Sequence, residues 1–480
     1  MKKTLCILLS VLMIIALFSL IGCQSAPEEK KDEDTVKAYD LPERLQETKS
    51  EESQGHPENE TKPLVICVDI QSYNLEAEIM DLIVPLQTSG KLGEVQVEYL
   101  SVEGGTRASA INRIRTEIMS GAGPDLFIIK NTNYFGKEEP IFPMPEKVME
   151  AGLLLPLDPY IQNNTEYAEW DKLTQSVMEA GKNEEGQQII PLAYTMPALF
   201  YRAEDVQFNP IENMTWREMV EDENLHNAAM LLGAGPKDYL YSEFEGYYNH
   251  RLQYILGDLA DYANEELLFT EEELLAYVEE TVAISEEVWQ EKLYDQPNWY
   301  QGNLGVYMNK LPMFMDENGS LYDTMNGVSA GDTMVYIPIS SDDGGYTAAI
   351  MTYAAVNRNT ELGLEAFRVI DRLLSTHMMC QSPLYSNCLY DLSGYGIPMH
   401  EDVLSEAYPI RNNNWYLSEA NFAAFDAVRD QITAAQFTDT LFYAFDGMMV
   451  DVSDAVNHGE EDLAPLVSEW YSKMRRQISE

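Results

Sequence analysis

The residues of this 480-residue chain best suited to chemistry are amides standing beside aromatic rings. Lys130-Asn131-Thr132-Asn133-Tyr134 and Asn412-Asn413-Asn414-Trp415-Tyr416 are the densest cases, and Asp69-Ile70-Gln71-Ser72-Tyr73, Tyr194-Thr195 and Trp299-Tyr300 offer related ingredients. A flat ring accepts an apolar C–H face, while planar amides and carboxylates meet hydroxyl groups edge-on. The chemistry this favours is noncovalent contact with a small guest that has both apolar and hydrogen-bonding faces. Packing is the competing reading for Tyr73, Tyr134, Trp299, Tyr300 and Trp415. The chain carries 29 Tyr, 6 Trp and 15 Phe, and most rings in a globule are core or half-buried surface. Asn131 and Asn133 equally suit turns that bond their own backbone, and Trp216 reads as core.

Motifs for bond making are missing. The sequence has no His-Glu-x-x-His, no Gly-x-Ser-x-Gly and no Gly-x-x-x-x-Gly-Lys-Ser/Thr, and its 6 histidines are scattered. Asp316-Glu317-Asn318-Gly319-Ser320 fails the spacing of a calcium loop and reads as a solvated turn. Among 80 acids a carboxylate pair at glycosidase separation arises by chance, and no local motif marks one. The expectation is a protein without catalytic residues, cofactor or metal. Its 31 basic residues against 80 acidic ones give a net charge of −49, which repels phosphate backbones and excludes a nucleic-acid partner.

The N-terminus carries an address. Lys2 and Lys3 precede an apolar run from Leu5 to Ile21, closed by Leu20-Ile21-Gly22-Cys23, with acidic rather than basic residues following. This resembles a bacterial lipobox. The resemblance implies a signal peptide over residues 1–22, cleavage before Cys23, lipidation of its thiol, and a body anchored on the outer face of the cell membrane. The competing reading is an uncleaved anchor helix. Gln24 to Lys62 then holds 12 acids and 6 bases around one aromatic residue, Tyr39, so residues 23–62 are expected to be a self-repelling flexible tether. From Pro63 onward 68 acids face 23 bases, so the globule itself is acidic. Cys67 sits in an apolar run and reads as a buried thiol. Cys380 and Cys388 leave open whether a disulfide forms.

The elements that position the amide–aromatic loops alternate. Leu64-Val65-Ile66-Cys67-Val68 and Val95-Gln96-Val97-Glu98-Tyr99 read as strands, with a helix from Leu75 to Leu86 that Pro85 and Gly90 should break. Ile111, Ile114 and Ile118 mark a second helix, Gly121 its left-handed end, and Leu126-Phe127-Ile128-Ile129 a buried strand. Strand–helix alternation means a parallel sheet covered on both faces. It returns in a strand over Ala348 to Val356 and a helix with Ala366, Phe367, Ile370, Leu373 and Leu374 on one stripe. The middle reads as mainly helical, with a capping box at Thr215-Trp216-Arg217-Glu218. The last hundred residues read as mostly helical, from Asn421 to Ile432 and from Leu463 to Ile478.

Several of these segments, in order, resemble the extracellular solute-binding proteins of ABC importers, in the carbohydrate-binding branch that includes maltose-binding protein. Arg115 to Phe127, with Gly121-Ala122-Gly123-Pro124-Asp125 at its centre, is the most specific stretch. Gly152-Leu153-Leu154-Leu155-Pro156-Leu157, Gly186 to Pro191 with Ala198-Leu199-Phe200-Tyr201, Thr215-Trp216, Asn359 to Leu374 and Gly396-Ile397-Pro398 follow. Arg202 departs from the pattern, where Asn is usual. The resemblance implies an α/β, two-lobed, type 2 periplasmic-binding-protein-like fold, each lobe a mostly parallel sheet flanked by helices, hinged about a central cleft. Residues 63–196 and 338–378 would form the first lobe, 197–337 and 379–480 the second. Ligand contacts would come from loops at the carboxyl ends of strands: Tyr73, Asn131, Asn133, Tyr134, Tyr194, Trp299, Tyr300 and Trp415. The implied partners are a carbohydrate ligand and the permease subunits of an ABC transporter, with a membrane contact through the lipid on Cys23 alone; a monomer is expected. Two alternatives stay open: the same fold binding a polyamine, cationic peptide or other small solute, and a surface glycoside hydrolase.

Overall fold

The β-branched runs that begin the folded body form β1 (Leu64–Asp69), β2 (Val95–Tyr99) and β3 (Leu126–Lys130), separated by helices α1 (Leu75–Thr88) and α2 (Gly104–Met119). The computed structural model describes residues 62–70, 75–100, 104–130, 140–196, 198–202, 214–222, 252–290, 313–315, 333–342, 344–380, 396–406 and 417–479. β1 lies in parallel between its neighbours, with Val65 opposite Gln96 and Cys67 opposite Phe127. Parallel strands need crossover helices, and the apolar stripes of α1 and α2 supply them: Ile79, Leu82, Ile111 and Ile114 are buried.

Helix α3 (Pro145–Glu150) and the hairpin of β4 (Lys182–Asn183) and β5 (Gly186–Gln187) lead to β6 (Ile189–Thr195). Then come β7 (Ala198–Arg202), β8 (Met214–Thr215), the hairpin β9 (Ala260–Asp261) and β10 (Glu266–Leu267), helix α4 (Glu271–Gln290), β11 (Met313–Met315) and β12 (Met334–Ser340). The remainder is β13 (Tyr346–Val356), α5 (Gly363–Leu373), β14 (Ile397–Pro398), α6 (Glu419–Arg429), β15 (Ile432–Phe437), α7 (Thr440–Asn457) and α8 (Ala464–Ser479).

Among the described residues the larger sheet has seven strands in the order β14-β6-β13-β3-β1-β2, with β15 also on β13. A second sheet has the order β11-β7-β12-β8. The chain leaves the larger sheet between β6 and β7 and returns between β12 and β13. At the return Ser341 N–H donates to Gly345 O at 3.2 Å, and Gly344 and Gly345 take φ of 88° and 81°. A Cβ on Gly345 would lie 2.2 Å from Thr433 Oγ1, so only glycine fits. A core of Trp216, Met219, Leu274, Val278, Ile337, Phe442, Phe445 and Met448 packs α4, α7, β12 and the capped helix Trp216–Glu221 together.

The Gly-x-Gly-Pro-Asp stretch has a mechanical explanation. Gly121 and Gly123 take positive φ, and Ala122 N–H closes on Glu117 O at 2.8 Å, which ends α2. This delivers the buried Asp125 to the head of β3, where its carboxylate accepts from Val65 N–H (2.9 Å) and Thr360 Oγ1–H (2.7 Å). Asn357 Nδ2 donates to Ala122 O and Pro124 O from the other side. The turn thus ties β1, β3 and the link from β13 to α5 into one knot. The capping box is also present, with Glu218 N–H on Thr215 Oγ1 and Thr215 N–H on Glu218 Oε2.

Two expectations need correction, the break at Pro85 and the mainly helical middle. α1 runs through Pro85 instead of stopping there. A proline frees the carbonyl four residues earlier, and the Arg372 guanidinium supplies the missing donors, to Asp81 O at 3.3 Å and Leu82 O at 3.1 Å. The mainly helical middle contains the second sheet, whose β7 is antiparallel to both β11 and β12; only β12 and β8 run parallel. In the larger sheet too, β13 is antiparallel to β3 and β6. The mostly helical tail also contains β15, and both β14 and β15 hydrogen-bond into the larger sheet. Cys67 is a buried free thiol as expected, and so is Cys380; Cys388 lies outside the described residues.

Replacing Asp125 with alanine leaves the Val65 N–H and the Thr360 hydroxyl without their charged acceptor. The expected loss is about 3 kcal/mol, read as a fall in the urea midpoint at unchanged slope. A loss under about 1 kcal/mol would show that the knot is not a principal stabiliser.

Candidate functional site

At the carboxyl edge of the parallel strands β1 ends on Asp69 and β3 on Lys130. Asp69 accepts a bidentate pair from Arg107 in α2, at 2.6 and 2.9 Å, with both side chains buried. Such a fork fixes the edge geometrically as well as electrostatically. Burial pushes the half-buried Lys130 amine down to about 8. Of the residues singled out by sequence, Tyr73, Asn131, Asn133, Tyr134, Trp299, Tyr300, Trp415 and Cys23 lie outside the described residues. Tyr194 is within them and has no exposed surface. It stands opposite Ile350 of β13 and Ile397 of β14, its hydroxyl 3.4 Å from Thr174 Oγ1, and burial pushes its phenol up to about 12. The ring packs inside the sheet, which is the reading weighed against ligand contact for its fellow aromatics.

A crevice of about 400 Å³ opens beside the return crossing. Glu146 and Glu150 of α3 and Glu179 and Lys182 near β4 form one wall; Asp258 to Ala263 around β9 form the other; Ala435 and Gln436 of β15 also line it. Its volume falls in the range of small-molecule sites. The lining is acidic, with Glu146, Glu150, Glu179, Asp258 and Asp261 against Lys182.

The electrostatics follow from enclosure. Desolvation raises the Glu146 carboxyl well above its usual range, and the negative charges of Asp439, Asp258, Glu150 and Asp261 add to the effect. Behind it Asp439 caps α7, accepting from Phe442 N–H at 2.8 Å, and accepts from the Tyr262 hydroxyl as well. Those bonds favour its ionised form, but burial outweighs them and the carboxyl is pushed up to about 6. Tyr262 is raised by the same burial and by Asp439 and Glu146. Asp261, in contrast, is lowered by hydrogen bonds from Asn264. Such a crevice accepts hydrogen bonds from hydroxyls or ammonium groups, and Gln436 supplies an amide. Sequence reasoning missed Glu146, Tyr262, Asp439 and Gln436, because no local pattern links positions that far apart. Among the described residues no group of His, Cys, Asp and Glu is arranged to hold a metal, and no helix is long and apolar enough to cross a membrane.

Asp439 binds its proton more tightly folded than unfolded, so ionising it opposes folding. Stability is therefore expected to fall as pH rises from about 4 through about 6. Asp439→Asn keeps a capping oxygen and removes the charge. The variant should gain about 2 kcal/mol on the wild type between pH 4 and pH 7, measured by urea unfolding at both pH values; parallel pH profiles would contradict the assignment.

Comparison with known proteins adds context. A family model described as bacterial extracellular solute-binding protein matches residues 90–366, more than half of the chain. The structure is similar to that of an extracellular solute-binding protein family 1 member from Alicyclobacillus acidocaldarius, with 14% identity, 88% of this chain and 100% of that one covered, and a TM-score of 0.53. It is similar to a periplasmic oligogalacturonide binding protein from Yersinia enterocolitica, with 12% identity, coverage of 86% and 98%, and a TM-score of 0.51. A de novo designed cysteine esterase is similar at 10% identity, coverage of 87% and 98%, and a TM-score of 0.55. At these identities the likenesses speak to the fold alone. No curated protein matches in sequence.

Proposed function

Because this chain belongs to the bacterial extracellular solute-binding proteins, we propose that it captures a mono- or oligosaccharide outside the cell and delivers it to the permease of an ABC importer. In this reading it is a lipid-anchored monomer, held to the membrane through Cys23 and the acidic segment after it, and it performs no chemistry. The seven-stranded sheet belongs to one lobe and the four-stranded sheet to the other. The two crossings, β6 to β7 and β12 to β13, act as the hinge. Ligand binding then does work only by differential affinity: the guest must prefer the closed arrangement, and the permease the liganded one.

The observation that supports this most is the crevice beside the return crossing. Its walls come from segments far apart in the chain, Glu146 to Lys182 on one side and Asp258 to Ala263 on the other. A guest held between such walls bridges them. Carboxylates suit sugar hydroxyls as acceptors, and the amide–aromatic loops at 131–134, 299–300 and 415 would add stacking faces.

One observation favours a second reading, a cationic solute such as a polyamine: five acids line the crevice against one lysine. Calorimetry distinguishes the two. Neutral di- and trisaccharides should give stoichiometric heat that is insensitive to salt and leaves no hydrolysis product. Heat from spermidine alone, weakening with ionic strength, would replace the carbohydrate reading. Cys23→Ala should move the protein from the membrane fraction to the medium; unchanged retention would remove the lipid anchor.

A further inference from the structure

Beside the crevice lie buried polar groups that folding alone does not use. Gln253, in the short helix Leu252–Ile255, has no exposed surface, and neither its Oε1 nor its Nε2 has a hydrogen-bond partner among the described residues. Thr195, the last residue of β6, is 1% exposed, and its Oγ1 likewise has none. Gln436 lines the crevice, and its Nε2 donates to the main-chain oxygen of Gln253 at 3.4 Å.

Strand register relates these residues. Thr195 stands opposite Ala349, and Ala349 opposite Gln436, so the three form one row across β6, β13 and β15 and share a face of the sheet. Ala349 belongs to the core that also holds Ile255 and Leu256, which places the helix of Gln253 over that face. The row sits where the chain crosses between the sheets.

An unsatisfied buried donor or acceptor costs about 1–3 kcal/mol, and native proteins retain few of them. Gln253 carries one of each on a single side chain. We propose that Gln253, with Gln436 and Thr195, is the uncharged hydrogen-bonding floor of the ligand site, and that it selects hydroxyl groups over ammonium groups. The inference rests on the carbohydrate reading and sharpens it. An ammonium can satisfy Oε1 but has no lone pair for Nε2, whereas a hydroxyl both donates and accepts. The ionised carboxylates of the walls can only accept hydrogen bonds; the floor adds an uncharged amide that both donates and accepts. Hinge opening would bring the amide to solvent and to the guest.

The test is calorimetry of the full chain with maltose, cellobiose, lactose, raffinose and, separately, spermidine, alongside thermal unfolding. Gln253→Met should melt at or above the wild-type temperature, since it removes two unsatisfied groups at similar volume, yet bind the active sugar at least tenfold more weakly. Thr195→Val should weaken the same sugar by about threefold, a shift of roughly 0.65 kcal/mol at 25 °C. Unchanged sugar affinity in Gln253→Met would overturn the proposal. A lower melting temperature with unchanged affinity would also overturn it, by assigning the amide to an internal water. If Gln253→Met does not fold, Thr195→Val and Gln436→Met decide the matter by the same criterion. Heat from spermidine alone defeats the carbohydrate reading itself. Sugar heat that survives all three substitutions defeats only the floor.

Discussion

The structure depends on one strand. All eleven residues of β13 are buried, and its two edges serve three partners: β6 on one side, β15 and then β3 on the other. Among the described residues no other strand joins the early βαβαβ unit to the chain's last third. β13 also receives the chain directly from the second sheet through the tight Ser341 to Gly345 turn. A strand so placed cannot shift register without turning its apolar side chains to the wrong face. The larger sheet is therefore a fixed reference for the crossings that enter and leave it.

Several buried carboxylates are well partnered: Asp69 with Arg107, Asp125 with Val65 and Thr360, and Asp371 with the backbone of Glu166, Tyr167 and Ala168 and the indole of Trp170. Around the crevice, Glu146 is held above its ordinary carboxylate range by burial and by neighbouring negative charges, Asp439 is held above it by burial against its hydrogen bonds, and Gln253 and Thr195 keep unsatisfied atoms among the described residues. Local destabilisation of this kind concentrates at sites that bind something.

What could be read from the sequence was what is local. The first three strands and their helices, the left-handed Gly121, the capping box at Thr215 and the burial of Trp216 all follow from spacing within a dozen residues. The failures share a cause in distance. Pro85 signals a break, yet Arg372, nearly three hundred positions later, supplies donors to the carbonyls beside it. β15 is short and alanine-rich, with a pattern too weak to outweigh the helices around it, and β13 provides its ladder. Tyr194 has the right residue type at a strand's end, but strands on both sides enclose it. The crevice draws Glu146, Tyr262 and Gln436 from three regions, and the loops where most amide–aromatic candidates fall lie outside the described residues.

In the proposed function, a guest held beside the crossings draws two sheet-bearing halves together. Small-angle X-ray scattering of the full chain, with and without a saturating sugar identified by binding, tests it most directly. The account predicts a smaller radius of gyration and a shortened maximum dimension in the liganded sample. Superimposable profiles at proven saturation would contradict it.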